Sequence, residues 1–312
     1  MLDPQAQALL DLIKARQIPA THLLSPEQAR SLYRDRRALT QPEPRAMAEV
    51  RNLAMPGPAG KVALRLYRPD SLHGPAPTLV YFHGGGWVIG DLDTHDVLCR
   101  ELADLGRCVV VAVDYRLGPE HRFPAAVDDA HAAARWLHAQ ADALGLDPAR
   151  MAVGGDSAGG NLAAVVAQLL RDEGHALKAR LQLLIYPATD MRAVAPSHQL
   201  NGQGTLLTSD TIDYFRAHYL APDQHSDPRA SPLLHANLAG LPPALVITAG
   251  FDPLRDEGLH YADALSAAGS SAQYICFERQ IHGFITMGRV LAEANTAVAL
   301  CAQALRQAWV QG

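Results

Sequence analysis

Short, continuous apolar segments alternate with longer amphipathic segments along the middle of the chain, and this alternation constrains the fold most. Strands without polar alternation are covered on both faces, as they are in parallel sheets flanked by helices. Alternating strands and helices therefore predict an α/β fold with a mostly parallel, doubly wound sheet. The predicted strands span residues 62–67, 78–82, 108–113, 151–153, 181–185, 244–248 and 272–277. The predicted helices span residues 125–143, 158–173, 255–268 and 289–309.

Two stretches interrupt the alternation and divide the chain into a core and a cap. The first, residues 1–45, has a helical pattern that ends in Q-P-E-P. The second, residues 188–230, is a loop-rich insertion around one amphipathic segment at residues 209–220. A long insertion in a compact fold is usually a lid or binding loop. We expect a small helical cap made of residues 1–45 and 188–230 over a core made of residues 46–187 and 231–312.

Composition excludes several other classes of protein. The 27 basic and 32 acidic residues leave a net charge of −5, so neither nucleic acid nor an anionic membrane is an expected partner. No apolar run reaches the roughly 18 residues of a membrane span, and the amino terminus lacks the pattern of a signal peptide. We therefore expect a cytoplasmic location, and because the four cysteines are widely spaced, we expect reduced thiols and no metal site. These cysteines are Cys99, Cys108, Cys276 and Cys301.

The sequence G-D-S-A-G at residues 155–159 carries the strongest functional signal. It lies between a predicted strand and a helical pattern, which is the context that a G-x-S-x-G nucleophile turn requires. The glycines two positions before and after Ser157 would let the strand and the helix pass close to a strained bend. Ser157 would then lie at a helix N-terminus, where free N–H groups favour negative charge. A phosphate-binding or Ser/Gly-rich turn is the alternative interpretation.

A second signal is H-G-G-G-W at residues 83–87, directly after the predicted strand at residues 78–82. Three glycines leave backbone N–H groups unshielded by side chains, so an oxyanion can approach them. The predicted oxyanion hole consists of the N–H groups of Gly84, Gly85 and Ala158. A flexible turn is the alternative, although a turn seldom needs three consecutive glycines after a buried strand.

A serine hydroxyl becomes nucleophilic when a histidine accepts its proton and a carboxylate orients that histidine. Asp252 and His282 each follow a predicted strand, at the edge where ligands bind in open α/β sheets. Taken singly, Asp252 could be a turn or helix-capping residue, and His282 could be a structural histidine. Asp256 and Glu257 are predicted to lie inside the next helix and to point away from the strand end. The predicted catalytic residues are therefore Ser157, Asp252 and His282.

Together these motifs resemble the hormone-sensitive-lipase-like α/β-hydrolases, the bacterial family IV carboxylesterases, from about residue 60 to residue 285. The aspartate before the serine is typical of the G-D-S-A-G branch. The resemblance implies an α/β-hydrolase fold with Ser157 as nucleophile, His282 as general base and acid, and Asp252 as the orienting carboxylate. Besides the glycine motifs, the shared segments are V-I-G-D-L-D-T-H-D at 88–96, D-Y-R-L-G-P-E-H at 114–121, F-P-A-A-V-D-D at 123–129, D-P-L-R-D-E-G at 252–258 and H-G-F at 282–284.

The resemblance implies hydrolysis of short- to medium-chain acyl esters through an acyl-enzyme intermediate, without a cofactor. The expected partner is a small-molecule ester, and the chain is a monomer or a homodimer. An amidase, a lactonase or a carbamate hydrolase is an alternative, because the triad does not itself select the leaving group. A non-catalytic small-molecule binding protein on the same fold is a further alternative. Candidate apolar walls of the substrate pocket are Trp87, Leu206, Leu207 and Phe215.

Five residues of the shared motifs have no obvious chemical step in this reaction. Polar side chains at such positions can orient a glycine loop or a nucleophile turn through hydrogen bonds and ion pairs. We therefore predict a structural role for His83, Asp96, Arg116, Glu120 and Asp156.

Overall fold

The computed structural model describes residues 1–310, which contain one eight-stranded sheet with helices on both faces. The strand order is β1-β2-β4-β3-β5-β6-β7-β8. The β1–β2 and β2–β4 pairs are antiparallel, and all other neighbouring strands are parallel. The predicted α/β fold with a mostly parallel sheet is confirmed. The strands are β1 Glu49–Gly57, β2 Gly60–Arg68, β3 Ala76–Phe82, β4 Val109–Asp114, β5 Leu146–Asp156, β6 Gln182–Ile185, β7 Ala244–Phe251 and β8 Ala272–Ile281.

The helices cover the sheet through two separate apolar clusters. Helices α4, α6 and α9 contribute to one cluster, and α3 and α10 contribute to the other. No helix within residues 1–310 is both long and apolar enough to cross a membrane. The helices are α1 Pro4–Ala15, α2 Pro26–Thr40, α3 Asp96–Gly106, α4 Ala125–Ala139, α5 Ala141–Leu144, α6 Ala158–Asp172, α7 Pro196–Leu200, α8 Ser209–Tyr219, α9 Arg255–Ala267 and α10 Ala292–Val310. Short 3-10 turns lie at Thr21–Leu23, Pro222–Gln224, Pro232–Leu234 and Phe284–Thr286.

Each predicted strand overlaps an observed strand, but the sequence prediction omits β1, α3 and the five-residue helix α7. Strand β1 lies at the edge of the sheet and buries only Met55, so it lacks the apolar signal of the central strands. Helix α3 begins without a side-chain cap, so its start carries no sequence signal. The omissions of β1 and α3 concern elements whose formation depends on tertiary pairing and packing.

Helices α1 and α2 begin with clear capping residues. The Asp3 carboxylate accepts hydrogen bonds from the first turn of α1, and Ser25 forms a capping box with Gln28 at the start of α2. His22, between these helices, contacts the Thr211 hydroxyl of α8 through Nδ1 at 3.2 Å. The beginning of the chain therefore packs against the segment that follows β6.

Candidate active site

The nucleophile turn joins β5 to α6 at Ser157. Its backbone has φ 54° and ψ −117°, a conformation that non-glycine residues rarely adopt. The Ser157 N–H donates to the carbonyl of Ile185 at 2.8 Å. A Cβ atom at Gly155 or at Gly159 would collide with the carbonyl oxygen of Phe82. The two glycines thus allow β3, β5 and α6 to approach this bend, as the sequence predicts.

The structure brings the three predicted catalytic side chains together. His282 Nε2 lies 2.9 Å from Ser157 Oγ, and His282 Nδ1 lies 2.7 Å from Asp252 Oδ2. Asp252 is fully buried and also accepts the Leu254 N–H at 2.8 Å. Because a carboxylate only accepts hydrogen bonds, Nδ1 carries the imidazole proton and Nε2 is free to accept one. This arrangement can activate the serine hydroxyl.

Asp156, beside the nucleophile, anchors the glycine loop that follows β3. Its Oδ1 accepts the Tyr81 hydroxyl at 2.7 Å and the Gly84 N–H at 2.9 Å. Its carboxylate also lies 3.2 Å from His95 Nε2. Burial alone would raise the pKa of Asp156, but His95 and the hydroxyl of Tyr81 hold that pKa below its usual value. Asp156 is therefore an ionised structural link between the loop and the bend, as predicted.

The contact with Asp156 corrects the predicted oxyanion hole. The Gly84 N–H already donates to a buried carboxylate, so it is not available to a substrate oxyanion. Among residues 1–310, the N–H groups of Gly85, Gly86 and Ala158 have no hydrogen-bond acceptor. Gly85 and Gly86 line the cavity above Ser157, whereas Gly84 does not. Gly86, which the sequence prediction left out, therefore has an N–H at this cavity that is unpaired within residues 1–310, and the triple glycine contained the signal for it.

His83 holds the glycine loop in place through contacts with Gly84 and Tyr115. It is buried, stacks on Tyr115 with ring centres 4.3 Å apart, and contacts the Gly84 carbonyl through Nδ1 at 2.9 Å. Burial and the nearby His95 lower the pKa of His83 to about 4, so the ring is neutral at neutral pH. The Tyr115 hydroxyl donates to the His83 carbonyl at 2.6 Å. These contacts agree with the predicted structural role.

The three other motif residues predicted to be structural form ion pairs. The first pair lies within α3, and the other two connect the loop after β4 to α4 and to α2. They are Asp96 with Arg100 at 2.6 Å, Arg116 with Asp129 at 2.7 Å, and Glu120 with Arg30 at 2.7 Å. The last pair ties α2 to the core.

A cavity of about 980 Å³, including its open mouth, lies above Ser157 and His282. We call it the catalytic cavity. Trp87 is 4% exposed and stacks on Tyr219 with ring centres 4.5 Å apart. A Cβ atom at Gly86 would overlap the ring of Phe215, so the glycine loop closes tightly against α8. The predicted wall residues all line this cavity, namely Trp87, Leu206, Leu207 and Phe215.

Glu257 also lines the catalytic cavity, so the prediction that it points away from the strand end is wrong. Side chains in the first turn of a helix slant towards its N-terminus, and the start of α9 faces back to the end of β7. Glu257 is 1% exposed; its carboxylate accepts the Thr189 N–H at 2.8 Å and contacts His198 Nε2 at 2.9 Å. Burial raises the pKa of Glu257, and His198 partly opposes this rise. Asp256 instead accepts the Ser197 N–H at 2.9 Å.

Within residues 1–310, no three His, Cys, Asp or Glu side chains are grouped to hold a metal ion. The four cysteines are all free thiols, and three of them are buried.

A serine on a strained strand-to-helix turn after β5, with an aspartate at the end of β7 and a histidine at the end of β8, defines a serine hydrolase of the α/β type. A family profile described as the alpha/beta hydrolase fold matches residues 79–286, a range that contains the whole triad. The chain belongs to this family. Within it, the chain belongs to the hormone-sensitive-lipase-like ester hydrolases that its motifs resemble.

The similarity to known proteins extends over nearly the whole chain. The ethyl acetate hydrolase of Pseudomonas putida is 39% identical over 318 aligned residues, which cover 98% of this chain and 99% of that protein. Carboxylesterase NlhH of Mycobacterium tuberculosis is 40% identical, with 98% and 96% covered. A serine-to-alanine variant of LAE6, an alpha/beta hydrolase enzyme from the metagenome of Lake Arreo in Spain, has a TM-score of 0.95 at 43% identity, with 98% of both chains covered. An esterase of Pyrobaculum calidifontis has a TM-score of 0.91 at 39% identity and covers both chains fully.

Proposed function

We propose that this chain is a serine carboxylesterase that hydrolyses short- to medium-chain acyl esters through an acyl-enzyme intermediate. The proposal rests on two consecutive hydrogen bonds, from Ser157 to His282 at 2.9 Å and from His282 to Asp252 at 2.7 Å. The esterases among its relatives support the same reaction class.

In the first step, Ser157 Oγ attacks the ester carbonyl while His282 Nε2 accepts the hydroxyl proton. The carbonyl oxygen becomes an oxyanion, and the bond to the alcohol breaks as His282 returns the proton to the leaving oxygen. In the second step, water attacks the acyl group by the same route and releases the acid and Ser157. Asp252 holds the imidazole in its tautomer throughout and stabilises the imidazolium that forms.

The oxyanion hole of this proposal consists of the N–H groups of Gly85, Gly86 and Ala158. Their amides have no acceptor within residues 1–310, and Ala158 begins α6, whose N-terminus favours negative charge. Gly84 has a different role, because its N–H holds the loop to Asp156. The loop is thus fixed before substrate binds.

The walls of the catalytic cavity favour an apolar acyl or alcohol group. Trp87, Leu206, Leu207 and Phe215 present aromatic and aliphatic surface, which suits chains of several carbons. Residues 1–45 and 188–230 form the cap, because Tyr33 of the first segment lines the same cavity. Comparing the turnover of an ester with that of the matched amide, lactone and carbamate separates esterase activity from the alternatives.

A cytoplasmic location is part of this proposal, because four free thiols suit a reducing compartment. The partner that the site requires is a small ester, and either a monomer or a homodimer presents a complete triad, since one chain supplies all three residues.

The decisive experiment replaces the nucleophile. Ser157→Ala should lower kcat for ethyl butanoate by about 10⁶-fold, because the acyl-enzyme cannot form. Ser266→Ala changes an exposed serine on α9 and serves as the matched control. A serine-reactive organophosphate should label Ser157 alone in the wild-type protein. Activity that survives Ser157→Ala, or labelling at another serine with loss of activity, would refute the proposal.

A further inference from the structure

The charged side chains that line the catalytic cavity are paired, with one exception. Arg36 of α2 lines this cavity, yet within residues 1–310 its side chain makes no hydrogen bond, ion pair or ring contact. Its Nε atom is fully buried without a partner. The other charged lining residues have partners: Asp156 with His95, Asp190 with Arg192, Arg216 with Asp213, Glu257 with His198, and His282 with Asp252.

Arg36 belongs to a small polar patch on the inner face of α2. Tyr33 lies three residues earlier, so both side chains project from the same face of the helix, and both line the catalytic cavity. Burial lowers the pKa of the Arg36 guanidinium, which the Tyr33 phenol opposes. A guanidinium nevertheless stays charged at neutral pH. A partly buried cation without a counter-charge is costly, so this position favours an anionic ligand.

The position of Arg36 shows which part of a substrate would reach it. A second cavity of about 840 Å³ lies under α1 and α2, and Tyr33, Arg36, Leu206, Thr286 and Met287 line both cavities. Arg36 therefore lies where the two cavities adjoin, on α2, whereas the ester carbonyl would lie against Gly85 and Gly86 of the glycine loop. The end of a substrate chain, rather than its ester group, would meet Arg36.

We propose that Arg36, with Tyr33, selects esters that carry a carboxylate at the far end of the chain, such as the half esters of dicarboxylic acids. The planar guanidinium can donate two parallel hydrogen bonds to a carboxylate, and the phenol can donate a third. A single unmatched positive charge suits a single negative charge. The inference rests on the ester hydrolysis proposed above and names the substrate class for that site.

The test compares two ethyl esters with acyl chains of equal length, ethyl pentanoate and monoethyl glutarate, by proton release at constant pH. The measured quantity is the ratio of kcat/KM for the half ester to that for the neutral ester. We expect Arg36→Gln to lower this ratio by about tenfold or more, because a charge-assisted hydrogen bond in a partly buried site is lost. Arg36→Met, which keeps the aliphatic stem, should lower the ratio equally, and Arg36→Lys should lower it less.

Arg34→Gln is the matched control, because it removes the same charge from α2. Arg34 is half-exposed, pairs with Asp91 and lines neither cavity. The ratio should be the same in Arg34→Gln as in the wild type. An unchanged ratio in Arg36→Gln and Arg36→Met, in protein that still hydrolyses ethyl pentanoate, would overturn the role of Arg36 and leave the proposed esterase intact.

A binding measurement gives a second readout that needs no turnover. Calorimetry with Ser157→Ala should show tighter binding of monoethyl glutarate than of ethyl pentanoate, and adding Arg36→Gln should remove that preference. If the wild-type protein hydrolyses neither ester, the proposed function fails, and the calorimetric comparison still decides on Arg36. Equal affinities for the two esters in Ser157→Ala would overturn the inference.

Discussion

Two carboxylate–histidine pairs beside the catalytic cavity look alike but differ in what lies beyond the imidazole. Asp252 contacts His282 at 2.7 Å, and Glu257 contacts His198 at 2.9 Å. Both carboxylates are buried, and each also accepts a backbone N–H at 2.8 Å. His282 then reaches Ser157 Oγ, whereas the second ring nitrogen of His198 has no hydrogen-bond partner within residues 1–310.

A buried carboxylate–histidine contact alone therefore does not make a catalytic site, because the histidine also has to contact a nucleophile. In the proposed mechanism, the pair of Asp252 and His282 acts on Ser157 because the strained backbone turn places the serine hydroxyl 2.9 Å from His282 Nε2. The pair of Glu257 and His198 joins α9 to α7, a helix in the segment between β6 and β7. Similar contacts thus have different proposed roles: catalysis for Asp252 and His282, and the shape of the cavity for Glu257 and His198.

The largest expected effect separates the two carboxylates. Asp252→Asn should lower kcat for ethyl butanoate by about 10⁴-fold, because the amide favours the wrong tautomer of His282. Glu257→Gln should lower kcat by less than about tenfold, since His198 touches no reacting atom. Steady-state kinetics measures both, and circular dichroism shows that each variant is folded. If the two variants lost activity equally, the distinction between the pairs would be wrong.

An intermediate effect concerns stability. His198→Leu removes the side-chain partner of buried Glu257 and should lower the free energy of unfolding by about 2 kcal/mol at pH 7. Adding Glu257→Gln should cost less than the sum of the two single changes, because the buried carboxylate is then gone. Urea unfolding of the two single variants and the double variant measures the coupling. Strictly additive losses would show that the two side chains do not interact.

The smallest effect is a pH dependence. Burial raises the pKa of Glu257, so from about pH 4.5 upward the folded protein binds more protons here than the unfolded chain does. Glu257 therefore makes the wild type less stable as pH rises through its raised pKa, and Glu257→Gln lacks this loss. The Tm of Glu257→Gln relative to the wild type should rise between about pH 4 and pH 7. A constant difference across this range would contradict the raised pKa.

The triad could be predicted from the sequence because its residues follow strand ends. Apolar runs reveal the buried strands, and parallel strands bring their carboxyl ends to one edge. This regularity and the order of the residues in the chain were enough to predict the triad of Ser157, Asp252 and His282. The glycine motif likewise revealed exposed amides, but it did not show that Asp156 engages the Gly84 N–H.

The inward face of helix α2 could be predicted less completely than the triad, for a physical reason. The helical pattern of α2 is visible in the sequence, but its polar residues occur around the helix, and only packing decides which of them face inward. Arg34 and Arg36 are two residues apart, yet one forms an ion pair with Asp91 and the other lines the catalytic cavity. The inward slant of Glu257 was missed because it depends on how α9 follows β7.

At Ser157, the strained backbone that presents the hydroxyl also lowers the stability of the fold. Holding a side chain at φ 54° and ψ −117° costs about 1 to 3 kcal/mol of folding free energy. Glycine has no Cβ and would adopt this geometry with little penalty. A glycine at position 157 would therefore raise the free energy of unfolding, but it would remove the hydroxyl that reacts with the substrate. The enzyme keeps the serine at the expense of this part of its stability.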